Sequence, residues 1–463
     1  MRIPRKLPRQ RRGGRRTPLL RRMLPPSLKM TVTPDRQTSC EHCLSLAGLL
    51  FLILLTLPFP LPGFGGKLLV ADLAAPLMAA GLMLKRPRVP LMLLLYVLWC
   101  AAAVAVQYMR GCGGLYDFAV VAYMALIFLF FRSIQLPEKR VLLAVGLSLL
   151  AALFLWWLLL NCIPVWTPLH ERMFYSDPHG MAVYSGPLMR RFCFLFRNPN
   201  LLGVAWLVPV SMLLPEMTDS LRHGHHRLRF LFWGILLFVL CLPLFSTMSK
   251  HAVMTLALIG SALAGAAPAG WRRRLAVAAA GAACAAFGTL CLLSVWFSTY
   301  PAVRQAPWID FNRAGNYMTH QRVYADMIRN GGAVEQFTGF GAAAARHRYQ
   351  EVAAPYAGWM RTVLEPYGAA DWLEPFLSFM DPHNEYLNTA VFFGLPAAAL
   401  MVAFLLSCFG AALWRQNWPV VFFIPALLLA FMWDDLASKR WIWAALGVLS
   451  AAMPDYGRRR NYA

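Results

Sequence analysis

The chain has 463 residues, of which 59% are hydrophobic and 14% are charged. A soluble protein is about 45–50% apolar and about 25% charged, so this composition excludes a soluble globular protein. Its 44 Lys and Arg residues against 21 Asp and Glu residues give a net charge of +23, whose meaning depends on where the basic residues lie.

Long apolar runs predict membrane-spanning helices, because a helix needs about 20 mostly apolar residues to cross a bilayer. We therefore predict an all-α polytopic membrane protein with about 12 transmembrane helices and one large outward loop that contains short helices. The predicted spans are 44–62, 68–84, 89–109, 115–131, 141–164, 199–217, 230–248, 251–270, 275–297, 386–413, 419–433 and 441–453.

The predicted organisation has five parts. A disordered basic tail (1–43) is followed by transmembrane helices 1–9 (44–297), the large outward loop (298–385), transmembrane helices 10–12 (386–453) and a short tail (454–463). Most of the Lys and Arg residues lie in the N-terminal tail and in alternate short loops, a pattern typical of cytoplasmic segments. Both termini are thus predicted to be cytoplasmic, and the net charge indicates topology rather than a nucleic-acid partner.

Basic residues also occur on the predicted outward side of the middle spans. Arg197 precedes the Asn-Pro pair that opens the sixth span, Arg191 lies a few residues earlier, and Lys250 lies in a tight turn between the seventh and eighth spans. Arg binds phosphate oxygens through two parallel hydrogen bonds, so this surface suits a lipid-linked pyrophosphate. The alternative is that these side chains only anchor the helices at the interface.

The outward loop is rich in aromatic residues and Leu, which indicates a folded segment. Its patterning predicts amphipathic helices at Met318–Asn330 and Ala342–Val352, with a turn at Gly339-Phe340-Gly341. The run His320-Gln321-Arg322 and the nearby Arg313 are candidates for further positive charge, although a solvated helix face is the better explanation for Arg313.

The end of this loop offers a candidate for acid–base chemistry. Asp381 is a favoured N-cap and Pro382 suits a first helical position, so we expect His383 in the first turn of the tenth span. A helix N-terminus disfavours imidazolium and attracts anions, so a neutral His383 can accept a proton from a hydroxyl beside a bound phosphate. Alternatively, His383 only hydrogen-bonds within an interfacial turn. Acidic residues are dispersed in the outward segments, and we expect no metal and no cofactor.

Several of these residues form a pattern that resembles the O-antigen ligase and polymerase superfamily. The pattern comprises His383-Asn384-Glu385-Tyr386-Leu387, Gly394, Asn198-Pro199-Asn200, Arg322 with Gly339 and Gly341, and the partly kept turn Thr247-Met248-Ser249-Lys250. The resemblance extends over roughly residues 190–410.

The resemblance implies metal-independent and nucleotide-independent glycosyl transfer at the periplasmic face of a bacterial inner membrane. The donor would be a glycan on undecaprenyl pyrophosphate and the acceptor lipid A-core or another glycan, with membrane lipids around the protein. The implied catalytic residues are His383, which assists deprotonation of the acceptor, and Arg322, which neutralises the leaving pyrophosphate. Our further candidates for binding the pyrophosphate are Arg197, Lys250, Arg191 and Asn384.

Related activities share these motifs. An O-antigen or exopolysaccharide polymerase and a protein O-oligosaccharyltransferase stay open as alternatives, and we prefer a ligase because no extra domain for a protein acceptor is visible. A lipid-glycan flippase or exporter is a candidate from a different class. Its essential charges would be expected along a central cavity, whereas this chain concentrates them at one face, with Asp72 as the only charge well inside a predicted span.

Overall fold

The computed structural model describes most of the chain, and the statements below concern these residues only. They are 34–57, 59, 61, 68–162, 174–175, 191–192, 194, 199–223, 227–246, 311–364, 373–378, 382–415, 417–432 and 438–452. The chain divides into two units, Met1–His42 and Cys43–Ala463. Only the beginning of the first helix is described in the first unit, and everything that follows concerns the second.

The first half of the chain forms mostly apolar helices. They are α1 (Pro34–Thr56), α2 (Ala75–Lys85), α3 (Leu91–Met109), α4 (Leu115–Ser133), α5 (Lys139–Cys162), α6 (Pro199–Ala205), α7 (Leu207–His223), α8 (Arg227–Leu240) and α9 (Leu242–Ser246). A short 3₁₀ helix at Val70–Ala74 precedes α2. The strands β1 (Phe174–Tyr175) and β2 (Arg191–Phe192) pair in antiparallel orientation.

The second half begins with the short helices of the predicted outward loop and ends with apolar helices. They are α10 (Phe311–Arg329), α11 (Ala333–Thr338), α12 (Gly341–Ala353), α13 (Ala357–Leu364), α14 (Leu373–Ser378), α15 (Glu385–Phe393), α16 (Leu395–Arg415), α17 (Trp418–Ala430) and α18 (Arg440–Ala452). The helices α10 and α12 confirm the two amphipathic helices predicted in the loop.

Four of the described helices are long and apolar enough to cross a membrane: Leu91–Met109, Leu115–Ser133, Lys139–Leu160 and Leu395–Arg415. Shorter apolar helices overlap three further predicted spans, at Glu41–Thr56, Leu201–Met217 and Pro419–Ala430. The described chain is thus a helical protein compatible with a membrane, with four candidate spans rather than the predicted twelve. The predicted spans at 251–270 and 275–297 lie outside the described residues.

Two predicted spans are interrupted. The tenth span, predicted at 386–413, consists of α15 and α16, which are separated by Gly394 in a left-handed backbone conformation (φ 87°). The sixth span is divided at Trp206 between α6 and α7. Hydropathy does not detect such breaks, because the residues at a break are as apolar as those of the helices on either side.

The apolar helices pack closely where small residues meet backbone. A Cβ atom added at Gly146 of α5 would lie 2.8 Å from the Pro209 carbonyl oxygen of α7, and one added at Gly447 of α18 would lie 3.0 Å from the Phe128 carbonyl oxygen of α4. The Phe128 ring also packs edge-on against Phe404 of α16, with ring centroids 5.3 Å apart. Small residues at helix contacts allow such close approach of backbones, as in membrane helix bundles.

The loop helices have a hydrophobic core of their own, which we call the loop core. It joins α10 and α12 to α15 and consists of Val323, Tyr324, Met327, Phe340, Ala345, Tyr349, Ala353 and Val391. Because Val391 belongs to α15, this core attaches the loop helices to the start of the predicted tenth span.

Asp72 is paired in the folded chain, although it stands alone within its predicted span. It lies in the 3₁₀ helix before α2 and forms an ion pair with Arg440 at the start of α18. Its carboxylate also accepts hydrogen bonds from the Tyr123 hydroxyl at 2.7 Å and the Leu69 amide at 2.7 Å. A mostly buried carboxylate requires such partners, so the structure explains Asp72 as an ion pair between distant helices.

Candidate functional site

The site begins at the C-terminal end of α17, where the last carbonyl groups of the helix have no partners within the helix. The Phe431 carbonyl accepts a hydrogen bond from the Glu385 amide at 2.7 Å, and the Leu428 carbonyl accepts one from the Tyr386 hydroxyl at 2.5 Å. These bonds place the turn that contains His383 at this end of α17.

The Met432 carbonyl joins the loop helices to the same turn. It accepts a hydrogen bond from Gln321 Nε2 of α10 and another from Asn384 Nδ2, each at 3.2 Å. Two segments that are far apart in the sequence therefore meet at one backbone oxygen, and this contact brings His320-Gln321-Arg322 to the side of the His383 turn.

The prediction that Asp381 caps the helix is wrong. The helix begins at Glu385, and its N-cap is Asn384, whose Oδ1 accepts a hydrogen bond from the Leu387 amide at 3.1 Å. An Asn side chain at this spacing satisfies an amide at the helix start, so His383 lies just before the helix rather than in its first turn.

His383 has a left-handed backbone conformation (φ 47°), which is uncommon for residues other than Gly, Asn and Asp. Its side chain is half-buried, between the buried Pro382 and the capping residue Asn384. Because Asn384 bonds both its own helix and the end of α17, the turn is held on both sides. Such constrained conformations are concentrated at functional sites.

A second histidine lies beside this turn. His320 of α10 is fully buried, and its Nδ1 shares a 2.7 Å hydrogen bond with the Tyr349 hydroxyl. Burial, with a smaller contribution from the charge of His383, lowers the pKa of His320 to about 3. The expectation that His320 supplies positive charge is therefore wrong, because its imidazole is neutral at ordinary pH.

This burial predicts acid sensitivity. The folded protein keeps His320 neutral whereas the unfolded chain protonates it below the ordinary histidine pKa of 6.5, so the free energy of unfolding falls as the pH falls from about 6.5 towards 3. Between pH 7.5 and pH 5 the loss from this residue is about 2 kcal/mol. We expect His320→Asn, which keeps a polar atom near Tyr349, to remove that loss in thermal unfolding of the purified protein.

The matched control for this prediction is His347→Asn, because His347 is an exposed histidine on the neighbouring helix α12. This variant should keep the pH dependence of the parent. Equal slopes for the His320 variant and the parent would contradict a buried neutral imidazole.

A buried carboxyl group directly follows the turn in the chain. Glu385, the first residue of α15, is only 4% exposed, and its Oε1 accepts a hydrogen bond from the Thr389 hydroxyl at 2.9 Å. Sequence analysis named Glu385 only within the resemblance pattern and did not predict its burial, because an acidic residue in the first turn of a helix is explained by the helix dipole alone. Its burial against the apolar helices depends on tertiary packing.

Arg322 lies on the exposed surface of α10. It makes no hydrogen bond or ion pair with any residue that the structure describes. One turn further along, Asp326 accepts a 2.6 Å hydrogen bond from the Tyr356 hydroxyl, a bond that raises the pKa of Tyr356, while the nearby Arg322 charge opposes that rise. Arg322 is thus on the same helix as His320, and the structure describes no contact between Arg322 and His383.

Three glycines allow a close backbone contact between the segment at 337–341 and the break between α15 and α16. Gly339, Gly341 and Gly394 all have left-handed φ values, of 75°, 74° and 87°. A Cβ atom at Gly339 would lie 2.5 Å from the Phe392 carbonyl carbon, and one at Gly394 would lie 1.9 Å from the Phe337 carbonyl oxygen. The predicted turn at 339–341 is confirmed, and the break between α15 and α16 is where it packs.

Gln107 of α3, which sequence reasoning missed, hydrogen-bonds to both segments of the same contact. Its Nε2 donates to the Thr338 carbonyl at 2.5 Å and to the Phe392 carbonyl at 2.7 Å. Trp99 of the same helix donates to the Phe393 carbonyl at 3.2 Å. The available signal in the sequence was an amide side chain near the end of an apolar run, because a polar group buried there must be hydrogen-bonded.

The remaining predicted residues are less fully described. Arg197 and Lys250 lie outside the described residues. Arg191 lies on β2, where its Cα is paired with that of Tyr175, and β2 packs beside α9. Among the described residues, no three His, Cys, Asp or Glu side chains form a group that could hold a metal ion.

Comparison with known proteins gives no relative: no family model matches the chain, and no curated protein matches it. The residues of this site are therefore the basis for inferring the function.

Proposed function

We propose that the protein is an integral-membrane glycosyltransferase of the O-antigen ligase type, which moves a glycan from undecaprenyl pyrophosphate to lipid A-core. The observation that carries the proposal is the constrained turn of His383, which is held against the end of α17 and lies beside the buried neutral His320. The resemblance of this element to the O-antigen ligase and polymerase superfamily supplies the reaction class.

In the proposed reaction, an acceptor hydroxyl oxygen forms a bond to the anomeric carbon of the glycan. The bond between that carbon and the pyrophosphate oxygen breaks, and the hydroxyl proton passes to the imidazole of His383. Pyrophosphate is a good leaving group, so the enzyme chiefly positions the reactants and offsets negative charge. Neutral His320 adds no charge that would hinder His383 from taking the proton.

The exposed guanidinium of Arg322 is our candidate for neutralising the leaving pyrophosphate, with Arg197, Lys250 and Arg191 as further basic residues. Asn384 was expected to bind the pyrophosphate, but both polar atoms of its side chain hydrogen-bond within the protein. We therefore propose that Asn384 positions His383.

The proposed topology is a bundle of membrane-spanning helices in the bacterial inner membrane, with both termini in the cytoplasm and the loop at 298–385 in the periplasm. It places the predicted basic candidates and His383 on one side of the membrane. Such one-sided placement favours chemistry at a surface over passage of a substrate through the bilayer.

The test is transfer by the full chain in proteoliposomes supplied with undecaprenyl-pyrophosphate-linked glycan. We expect a mass increase of lipid A-core equal to the glycan, in the presence of a chelator as well as in its absence. Transfer only to a second carrier-linked glycan or only to a protein would identify a polymerase or an oligosaccharyltransferase instead. Movement of the donor lipid between leaflets without transfer to any acceptor would refute the proposed glycosyltransferase activity.

Arg322 gives a prediction within this assay. Arg322→Gln removes an exposed cation near the leaving group, and the loss of a charge-assisted hydrogen bond is expected to lower transfer about tenfold or more. Arg329→Gln is the matched control, because Arg329 is an exposed residue two turns further along the same helix. Equal losses in the two variants would mean that Arg322 has no specific role.

A further inference from the structure

A cavity of about 100 Å³ lies at the opposite end of α17 from His383. Asn417, the N-cap of α17, lines the cavity, whereas Phe431 and Met432 at the other end contact the His383 turn. A helix of 13 residues is about 20 Å long, so the cavity is separate from the candidate glycosyltransferase site.

Two arginines line this cavity. Arg132 is the next-to-last residue of α4 and Arg415 is the last residue of α16. The Arg132 guanidinium carbon lies 5.8 Å from the centroid of the Phe128 ring, which holds the side chain in place. The two positive charges repel each other, and a phosphate bound between them would be attracted by both.

Asn417 supplies a second and independent observation. It is 5% exposed, and its Nδ2 donates to the Leu449 carbonyl at 2.9 Å. Its Oδ1 is buried and accepts no hydrogen bond from the residues that the structure describes. Buried acceptors are normally hydrogen-bonded, so a ligand with a hydroxyl group near its anionic group would fit the lining.

The ends of two candidate membrane-spanning helices meet at the cavity. Both α4 and α16 are candidate membrane-spanning helices, and each reaches the cavity with its last turn. Trp414, next to Arg415, is 89% exposed, and Trp is enriched where a membrane helix meets the bilayer surface. One water needs about 10–15 Å³, so the cavity has room for a phosphate group.

We propose that this cavity binds the headgroup of an anionic phospholipid. The phosphate lies between Arg132 and Arg415, and a headgroup hydroxyl donates to Asn417 Oδ1. Phosphatidylglycerol has both groups. Phosphatidylcholine has no donor and brings a positive charge towards two arginines.

The test is native mass spectrometry of the full chain in detergent, titrated separately with phosphatidylglycerol, phosphatidylcholine and inorganic phosphate. Phosphatidylglycerol should bind most tightly, and the double variant Arg132→Gln/Arg415→Gln should bind it about 100-fold more weakly or worse. Arg140→Gln, which changes an exposed arginine of α5, should bind like the parent.

A second variant distinguishes loss of the binding site from misfolding of the first variant. Ala411→Phe fills the cavity and keeps both arginines. Its affinity for phosphatidylglycerol should fall to a similar extent. Unchanged binding in either variant would overturn the site. Equal affinity for phosphatidylcholine, or inorganic phosphate binding as tightly as phosphatidylglycerol, would overturn the assignment to an anionic lipid. None of these measurements depends on glycosyl transfer.

Discussion

His383→Asn is expected to reduce glycan transfer by about 10²–10⁴-fold, the usual contribution of a general base. Asn is the appropriate replacement because it adopts the left-handed conformation more readily than most residues, so the turn at φ 47° should survive. The variant removes the imidazole, and with it the group that takes the acceptor proton. The measurement is steady-state transfer in proteoliposomes with varied donor concentration.

The form of this loss distinguishes chemistry from structure. If His383 acts in the transition state, kcat falls and the KM for the donor changes little. His347→Asn, which alters an exposed histidine outside the turn, is the control and should keep the parental rate. A His383 variant with parental kcat would show that the proposed mechanism is wrong, even if transfer itself is observed.

Gly394→Ala is expected to lower the free energy of unfolding by about 3 kcal/mol or more, because backbone strain and a steric clash would both oppose the folded state. The backbone at Gly394 has φ 87°, and the added Cβ would lie 1.9 Å from the Phe337 carbonyl oxygen. The segment at 337–341 would have to move away from the break between α15 and α16. Thermal unfolding in detergent, followed by tryptophan fluorescence, measures the loss.

Gly410→Ala is the matched control. Gly410 lies within α16, and an added Cβ would meet no atom within 4 Å. Ala favours a helix over Gly, so this variant should unfold at the parental temperature or above it. Similar destabilisation by both substitutions would mean that the close contact at Gly394 does not determine stability.

Two of the five described helices of the outward loop could be predicted from the sequence. The expected helices at Met318–Asn330 and Ala342–Val352 correspond to α10 and α12, because amphipathic periodicity is a local property. The helix start at Glu385 was harder, since both Asp381 and Asn384 are good caps. Only the hydrogen bond from the Leu387 amide distinguishes them.

The chemical states of the site residues could not be predicted. His320 and Arg322 are two positions apart, yet the first is buried and neutral and the second is exposed. Helical geometry places residues two positions apart on different faces, but it does not say which face another helix covers. The loop core covers the His320 face, and that arrangement depends on the packing of α10 against α12 and α15.

The sequence by itself determined that the protein is helical and strongly apolar, because hydropathy and periodicity depend on residues close together in the chain. Tertiary structure decided which polar groups are paired, buried or available. Asp72 and Arg440 are 368 positions apart, and Gln107 donates to the Phe392 carbonyl across 285 positions. Such partners become visible only when the chain is folded, because burial and pairing are set by contacts between distant segments.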